Sequence, residues 1–429
     1  MAHREILRPH DKPELGYWIP LSFQHVFAMF GATVLVPILT GLDPATALFT
    51  AGTGTLIYIL CTGAKVPAFL GSSFAFIPPL IGITASHGVS YALGGATVAG
   101  LFYCLVGFII RFAGTRWLDI ALPPVVIGSV IVVIGLSLAP VAMGMAMNNP
   151  GGEYSLVYLS IAVVTLGITV AANIVLKGFF STIPILFGLI AGYLFTLIMG
   201  CFFPAYAIIN FQAVKDAPWF GLPVFRVPHF SFVPILTFVI VSLATICEHL
   251  GDTLVTSKIV GQDFYKNPGL HRTLAGDGLA TAWASFWGGP PNTTYGENIG
   301  VMAITRVYSV WVIGGAAVIA VLLSFFRKFG ALIQTIPTPV LGGISMLLFG
   351  IIASSGLRTL VESGVDYKDK RNLTISSVIF VIGIGGGKVA INFTHDLRFE
   401  LAGVALATVV GIILNLIFPV NRGTVKTNS

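Results

Sequence analysis

Four carboxyl groups in otherwise uncharged stretches are the side chains of this sequence best suited to chemistry. Glu248, Asp252, Asp277 and Glu297 lie in or beside long apolar segments. A carboxylate at the centre of a membrane-spanning helix costs about 2.5 to 3.5 kcal/mol on insertion scales, so it normally faces a cavity and marks a substrate or proton path. Glu248 and Asp252 are four residues apart and share one helical face. The pattern predicts a substrate or proton site around them.

The alternative is that these carboxyl groups cap helix ends near water, where they cost little. Glu248 follows a stretch from Pro228 to Cys247 that contains no Asp, Glu, Lys or Arg, which favours an embedded, functional position. Asp252 lies one turn nearer the loop, so both roles stay open for it. Asp277 is predicted to be structural.

Two segments have compositions that plain helices do not tolerate. Residues 70–79 (LGSSFAFIPP) and 288–298 (GGPPNTTYGEN) combine helix breakers with strand formers. Irregular backbone inside a bilayer is tolerated only where it lines a cavity, and its free N–H groups then point into the protein. Carboxylates accept, backbone N–H groups donate, and Phe74, Phe76 and Tyr295 offer aromatic surfaces. These parts suit a nucleobase or another planar polar heterocycle.

The elements that position these groups must be membrane helices. The chain has 429 residues, of which 55% are hydrophobic and only 9% charged, too few charges for a water-soluble surface. Apolar runs bounded by charges, Pro or Gly predict fourteen spanning segments. Their centres lie near residues 28, 52, 76, 102, 131, 165, 190, 240, 281, 299, 316, 343, 380 and 410.

The distribution of basic residues predicts the orientation. With both termini cytoplasmic, 17 of the 23 Lys and Arg residues lie inside, as the positive-inside rule requires. The remaining six lie outside: Lys215, Arg226, Arg327, Lys328, Lys388 and Arg398. Because the basic residues are scattered through loops and form no single face, the net charge of +6 does not indicate nucleic-acid binding.

A weak internal repeat predicts two inverted halves. Pro124, Gly128 and Gly135 recur 215 positions later as Pro339, Gly343 and Gly350, almost half a chain length apart. Seven segments per half is an odd number, so the halves insert with opposite orientation, as in secondary transporters that bind substrate at the midplane between them. Chance matching is the alternative in so glycine-rich a chain.

No constellation typical of an enzyme, metal site or cofactor site is visible. Residues 383–388 superficially resemble a phosphate-binding loop, but Ile382 and Val389 occupy positions where the motif needs Gly and Ser or Thr, so a glycine-packed helix is predicted. The four cysteines have no paired spacing. Without a nucleotide-binding domain, transport would need an ion gradient, and 100 mV acting on one proton supplies about 2.3 kcal/mol.

The remaining motifs resemble those of the nucleobase/ascorbate transporter family. Residues 297–300 (ENIG) followed by Thr305 and Arg306 look like its signature, and residues 336–343 (IPTPVLGG) and the pair Gln24 and His25 resemble further family patterns. Residues 71–76 and 291–298 are similar to the uracil-transporting branch in particular. The similarity runs nearly from end to end.

The resemblance implies an all-α polytopic fold with fourteen transmembrane segments in a 7+7 inverted repeat, and with two short β-strands in segments 3 and 10 that pair at the binding site. It divides the chain into a core domain and a gate domain. The predicted parts are a cytoplasmic tail (1–14), core segments 1–4 (15–114), gate segments 5–7 (115–200), an extracytoplasmic loop (201–230), core segments 8–11 (231–326), gate segments 12–14 (327–420) and a cytoplasmic tail (421–429).

The resemblance also implies residue roles. Glu248 and Glu297 would accept hydrogen bonds from a uracil ring, the backbone N–H groups of Phe74 and Gly296 would donate to its carbonyls, and Tyr295 would complete the pocket. Proton coupling is expected at Glu248, Asp252 and Glu297, with Gln24, His25 and Asn298 in support. A proton-coupled uracil importer of the inner membrane is therefore expected, with a homodimer and membrane lipid as partners; a xanthine or urate carrier is the alternative.

Two positions depart from the family pattern. Asp252 stands where a close relative commonly has His, a residue implicated in proton coupling. The role would then fall to a carboxylate, which titrates differently from an imidazole. Phe349 stands where Tyr is expected, so any contact made by that hydroxyl is lost.

Overall fold

The computed structural model describes residues 6–203, 206–394 and 397–418. The predicted C-terminal tail, 421–429, and the first five residues of the N-terminal tail lie outside the described residues. Helices α1 to α9 occupy the first half of the chain: Leu15–Thr40, Pro44–Cys61, Ile77–His87, Val89–Ala113, Arg116–Ala121, Pro124–Ser137, Ala139–Met147, Leu156–Val175 and Pro184–Phe202.

The second half repeats this organisation. Helices α10 to α18 are Gln212–Asp216, Phe232–Val260, Leu270–Phe286, Gly296–Thr305, Val310–Ser324, Arg327–Gln334, Thr338–Glu362, Lys370–Ile384 and Gly403–Ile417. Strands β1 to β4 are Leu70–Ser72, Asn292–Thr294, Lys388–Thr394 and Leu397–Ala402. Fragments of 3₁₀-helix precede α3 (Phe74–Phe76) and α9 (Gly178–Thr182).

This is a helical, polytopic membrane protein. Within the described residues, eight helices are long and apolar enough to cross a membrane by length and composition: α1, α2, α4, the pair α6 and α7 taken together, α8, α9, α11 and α16. Thirteen of the fourteen predicted segment centres fall inside an α-helix, and the remaining one, residue 76, ends the 3₁₀ fragment before α3.

The closest helix packing relies on glycine. An added Cβ on Gly100 of α4 would lie 2.4 Å from the backbone nitrogen of Ala282 in α12, and one on Gly52 of α2 would lie 2.4 Å from the carbonyl oxygen of Ala317 in α14. Small residues allow such backbone approach between membrane helices. The contacts α4–α12 and α2–α14 each join a helix of the first half of the chain to a helix of the second half.

The predicted short strands in segments 3 and 10 are confirmed. β1 and β2 pair antiparallel, with Gly71 opposite Thr293, and the ladder continues from Tyr295 N–H to Phe69 C=O at 3.0 Å. The Thr55 hydroxyl accepts from Leu70 N–H at 2.9 Å and lies 3.1 Å from the Leu70 carbonyl oxygen, to which it donates. Hydrogen bonds from the surrounding helices therefore satisfy backbone groups that lipid cannot.

Two features differ from the sequence expectation. The prediction of a glycine-packed helix over residues 383–388 is wrong, because α17 ends at Ile384 and the glycines beyond it turn the chain into β3. Only Gly383 packs inside the helix, against Val133 and Ala407. The β3–β4 hairpin was not predicted. Polar and apolar residues alternate there, but they directly precede the apolar run of α18 and were therefore interpreted as the start of that helix.

Candidate substrate site

The site lies where the β1–β2 pair meets helices α11 and α13. α11 packs against β2, α13 and the 3₁₀ fragment that follows β1. Glu248 projects from the middle of α11, and Glu297 from the first turn of α13, directly after β2. Because α11 and α13 pack on one another beside β2, both carboxyl groups belong to the same region of the protein.

The two glutamates have oxygens without protein partners. Oε2 of Glu248 and Oε1 of Glu297 are both buried, and neither has a hydrogen-bond partner among the described residues. Leaving a buried polar atom unsatisfied costs about 1 to 3 kcal/mol, and more for a charged group. Such atoms occur where a ligand or water completes the set. The chemistry offered here is acceptance of hydrogen bonds.

Donors lie at the helix starts on either side. Phe74 is the first residue of its 3₁₀ fragment and Gly296 the first residue of α13. The N–H groups at the start of a helix have no acceptor within the helix. Carboxylate acceptors and helix-start N–H groups therefore both adjoin the strand pair, and their joint use by a planar heterocycle stays a prediction.

Tyr295 is part of the site wall, but its hydroxyl is already engaged. It donates to the Ser72 carbonyl oxygen at 3.1 Å and accepts from the Thr33 hydroxyl at 3.2 Å. An added Cβ on Gly71 would lie 2.5 Å from the ring. The side chain therefore braces α1 and β1 against the start of α13.

Asp252 lies one helical turn from Glu248 and is bound to β2. Its Oδ2 atom accepts a hydrogen bond of 2.9 Å from the Thr294 hydroxyl, and the side chain is buried. Asp252 is therefore not a water-exposed residue that caps a helix end. Its place at the strand pair leaves it available for a role beside the glutamates.

The predicted supporting residues connect different elements. Asn298 Nδ2 donates to the His25 carbonyl oxygen at 3.1 Å and lies 3.0 Å from its ring Nδ1, which joins α13 to α1. Gln24 Nε2 instead donates to Thr182 Oγ1 at 2.9 Å. Thr182 ends the 3₁₀ fragment before α9, so Gln24 contacts a segment that the sequence assigned to the gate.

Sequence reasoning missed the partner of Asp277. His249 Nδ1 lies 2.8 Å from Asp277 Oδ2, and both side chains are completely buried between α11 and α12. The other ring nitrogen of His249 lies 3.1 Å from the Thr273 hydroxyl. One feature of the sequence could have revealed this pair, namely the histidine that directly follows Glu248. Successive residues of an α-helix are rotated by about 100°, so His249 faces a different neighbour from Glu248.

Phe349 also reaches the site. Its ring meets the Phe74 ring edge to face, with centroids 5.6 Å apart. Phe349, which stands where Tyr is expected, thus contacts Phe74, whose backbone N–H is one of the predicted donors.

Discontinuous helices that bring buried carboxyl groups and helix starts to the middle of a polytopic membrane protein define a secondary-transporter type of site. The Permease family matches residues 16–391, and the chain belongs to that family. It is therefore a multi-pass membrane transporter and not an enzyme.

Similar proteins extend along almost the whole chain. It is 53% identical over 419 residues to the uracil permease of Bacillus subtilis (strain 168), covering 95% of this chain and 94% of that protein. Identity is 51% over 423 residues with the uracil permease of Bacillus caldolyticus (97% and 95% covered) and 48% over 417 residues with that of Escherichia coli (strain K12) (97% and 94% covered).

Solved structures of low identity share the fold. The transmembrane domain of the cyanobacterium bicarbonate transporter BicA matches with a TM-score of 0.64 at 17% identity, over 96% of this chain and all of that one. Murine Solute Carrier 26 family member A9, an anion transporter, matches with a TM-score of 0.63 at 12% identity, over 95% of this chain and 69% of that one. At these identities the likeness concerns the fold alone.

Proposed function

We propose that this protein imports uracil together with a proton across the cytoplasmic membrane. The observation that carries the proposal is the identity of about one half, over nearly the whole chain, to three proteins named uracil permeases. The site has the matching chemistry, because a uracil ring alternates N–H donors with carbonyl acceptors.

In this proposal the unpartnered oxygens of Glu248 and Glu297 accept hydrogen bonds from the ring N–H groups. The backbone N–H groups of Phe74 and Gly296 donate to the ring carbonyls. A hydrogen bond to a charged group contributes about 1.5 to 3 kcal/mol, so a glutamate that is ionised contributes most to binding. Tyr295 positions the strands that hold the donors and need not touch the substrate through its hydroxyl.

Proton coupling is assigned to Glu248, Asp252 and Glu297. All three lie around β2, and their charges interact across the site. Charges of one sign in one buried site disfavour simultaneous ionisation. A proton taken up by this group therefore favours a closed, occupied site, and loss of the proton favours release.

The movement that we propose is a displacement of a core domain against a gate domain, by an elevator-like or rocking motion, in a fold of fourteen spanning segments in two inverted halves. Support comes from packing, since α2, α4, α12 and α14 pack closely on one another while α6, α8 and α16 form a second group. The Phe74–Phe349 and Gln24–Thr182 contacts join segments that we assign to the core to segments that we assign to the gate, and they would change during transport.

Orientation and assembly complete the proposal. Both termini are cytoplasmic, in line with the distribution of basic residues, and the protein forms a homodimer through its gate domains. The apolar outer faces of α8 and α9 leave Leu156, Ile174, Ile198 and Phe202 strongly exposed, as a face that meets lipid or a second copy requires.

Uptake into proteoliposomes tests this function. Radiolabelled uracil should accumulate above its external concentration when an inward proton gradient is imposed, and a protonophore should reduce it to equilibration. A channel would equilibrate uracil whether or not the protonophore is present. Accumulation that ignores the gradient would refute proton coupling.

Competition with unlabelled bases separates uracil from the purine alternative. Excess uracil should remove the labelled signal, whereas equal concentrations of xanthine or urate should leave most of it. If xanthine or urate competes better than uracil, the chain is a purine carrier of the same family.

A further inference from the structure

A basic cavity away from the carboxylates lies where α2 ends, α4 ends and α12 begins. It encloses about 280 Å³, and its lining includes Arg111, His271, Arg272, Cys61 and Cys104. The cavity is separate from the substrate site, whose residues lie in β1, β2 and the middle of α11.

The cavity gathers positive charge that the protein does not neutralise. Within the described chain, neither Arg111 nor Arg272 forms an ion pair with a carboxylate. His271 lies within electrostatic range of both guanidinium groups. Like charges held together repel one another, so an anion bound between them would be stabilised. Arginine is also the side chain best shaped to bind the oxygens of a phosphate group.

An apolar stripe leads away from this cavity. Leu101, Leu105, Phe108 and Phe112 of α4 are each more than half exposed, and their spacing places them on one helical face. Phe108 also lines the cavity. The eleven residue steps from Leu101 to Phe112 span about 16 Å, which is about half of the ~30 Å hydrocarbon core. The length of the stripe therefore matches the depth of one leaflet.

A basic cavity joined to an apolar stripe about as long as one leaflet is deep fits a membrane lipid better than a soluble anion. We propose that this cavity binds the phosphate of an anionic phospholipid, with an acyl chain along the α4 stripe. The cavity touches α2, α4 and α12, so the lipid is attached to the helices of the proposed core. Basic pockets between membrane helices are known to hold anionic headgroups.

Lipid titration of the purified full chain in detergent, followed by native mass spectrometry, tests the proposal. Dioleoyl phosphatidylglycerol should bind at least tenfold more tightly than dioleoyl phosphatidylcholine. The variant Arg111→Gln with Arg272→Gln should lose this preference, since each basic side chain near an anionic surface contributes about fivefold. The matched control is Arg358→Gln with Lys368→Gln, which removes two exposed basic groups elsewhere.

Three outcomes would overturn the proposal. The first is a cavity variant that keeps the preference for phosphatidylglycerol. The second is a control variant that loses it equally, because the effect would then be general surface charge. The third is inorganic phosphate that displaces phosphatidylglycerol at equal concentration, which would mark a site for a soluble anion.

The two thiols supply an independent readout. In a Cys201→Ser background, maleimide labelling of Cys61 and Cys104 should slow about fivefold in nanodiscs containing phosphatidylglycerol, relative to nanodiscs of phosphatidylcholine alone. The Arg111→Gln and Arg272→Gln variant should show no such protection. Equal labelling rates in both lipids would contradict lipid binding in the cavity, and neither assay depends on uracil transport.

Discussion

Glu248 and His249 are neighbours on α11, yet they belong to two different buried polar groups. His249 faces α12 and is paired with Asp277, with the Thr273 hydroxyl at its other ring nitrogen. Glu248 faces the strand pair and keeps one buried oxygen without a protein partner, as does Glu297. Asp277 also has a buried oxygen, Oδ1, without a hydrogen-bond partner, but its other oxygen lies against an imidazole, whereas neither glutamate forms an ion pair among the described residues. A buried carboxylate that the fold pairs with a basic side chain contributes to structure, whereas one without such a partner is available to a ligand.

The largest effect should come from breaking the paired group. We expect His249→Leu to lower the free energy of unfolding by about 3 to 5 kcal/mol, because Asp277 would remain buried without its partner. Thermal unfolding in detergent measures the change. The control is the double variant His249→Leu with Asp277→Leu, which removes both members of the pair and should recover most of the loss. Equal stability of the single and double variants would contradict a structural pair.

The unpaired group should respond in the opposite way. We expect Glu248→Gln to lower uracil uptake about 100-fold, because the amide replaces a charged acceptor and cannot exchange the proton, a loss of about 2.7 kcal/mol. Its thermal stability should stay near that of the wild type, since glutamine preserves the size and shape of the side chain. Glu362→Gln, an exposed site on α16, is the matched control. Unchanged uptake across the pH range would remove Glu248 from the site.

Asp252 lies between these two cases, because it is close to the glutamates but hydrogen-bonded by the protein. We expect Thr294→Val to reduce uptake about tenfold, since the 2.9 Å bond to Asp252 would be lost, and a hydrogen bond to a charged group contributes about 1.5 to 3 kcal/mol. Thr294→Ser keeps the hydroxyl and should retain most activity. If Thr294→Val keeps wild-type uptake while Thr294→Ser is impaired, the methyl packing of Thr294 matters and the hydrogen bond does not.

The two groups also differ in how far the sequence could predict them. Glu248 and Glu297 stand out because lipid penalises charge and because breaker-rich stretches adjoin them, so composition alone located them. The pairing of His249 with Asp277 depends on which faces of α11 and α12 meet, and that is set by packing between distant segments. The Gln24–Thr182 bond has the same origin. The fourteen segment centres followed from hydropathy and from Pro and Gly, and the two short strands followed from the family resemblance, whereas the β3–β4 hairpin followed from neither.

The smallest expected effect concerns the gate side of the site. Phe349→Tyr adds a hydroxyl to a ring that already packs on Phe74, with centroids 5.6 Å apart and planes at 76°. The aromatic contact should persist because the ring is unchanged, so the added hydroxyl is the only new group near the substrate. We expect the KM for uracil to fall by two- to fivefold with little change in stability, measured by initial uptake rates in proteoliposomes. Phe349→Leu removes the ring and serves as the comparison, since it should weaken uptake by disturbing Phe74. An increase in KM for Phe349→Tyr would show that the hydroxyl has no polar partner there and that the site differs at this position from the one we propose.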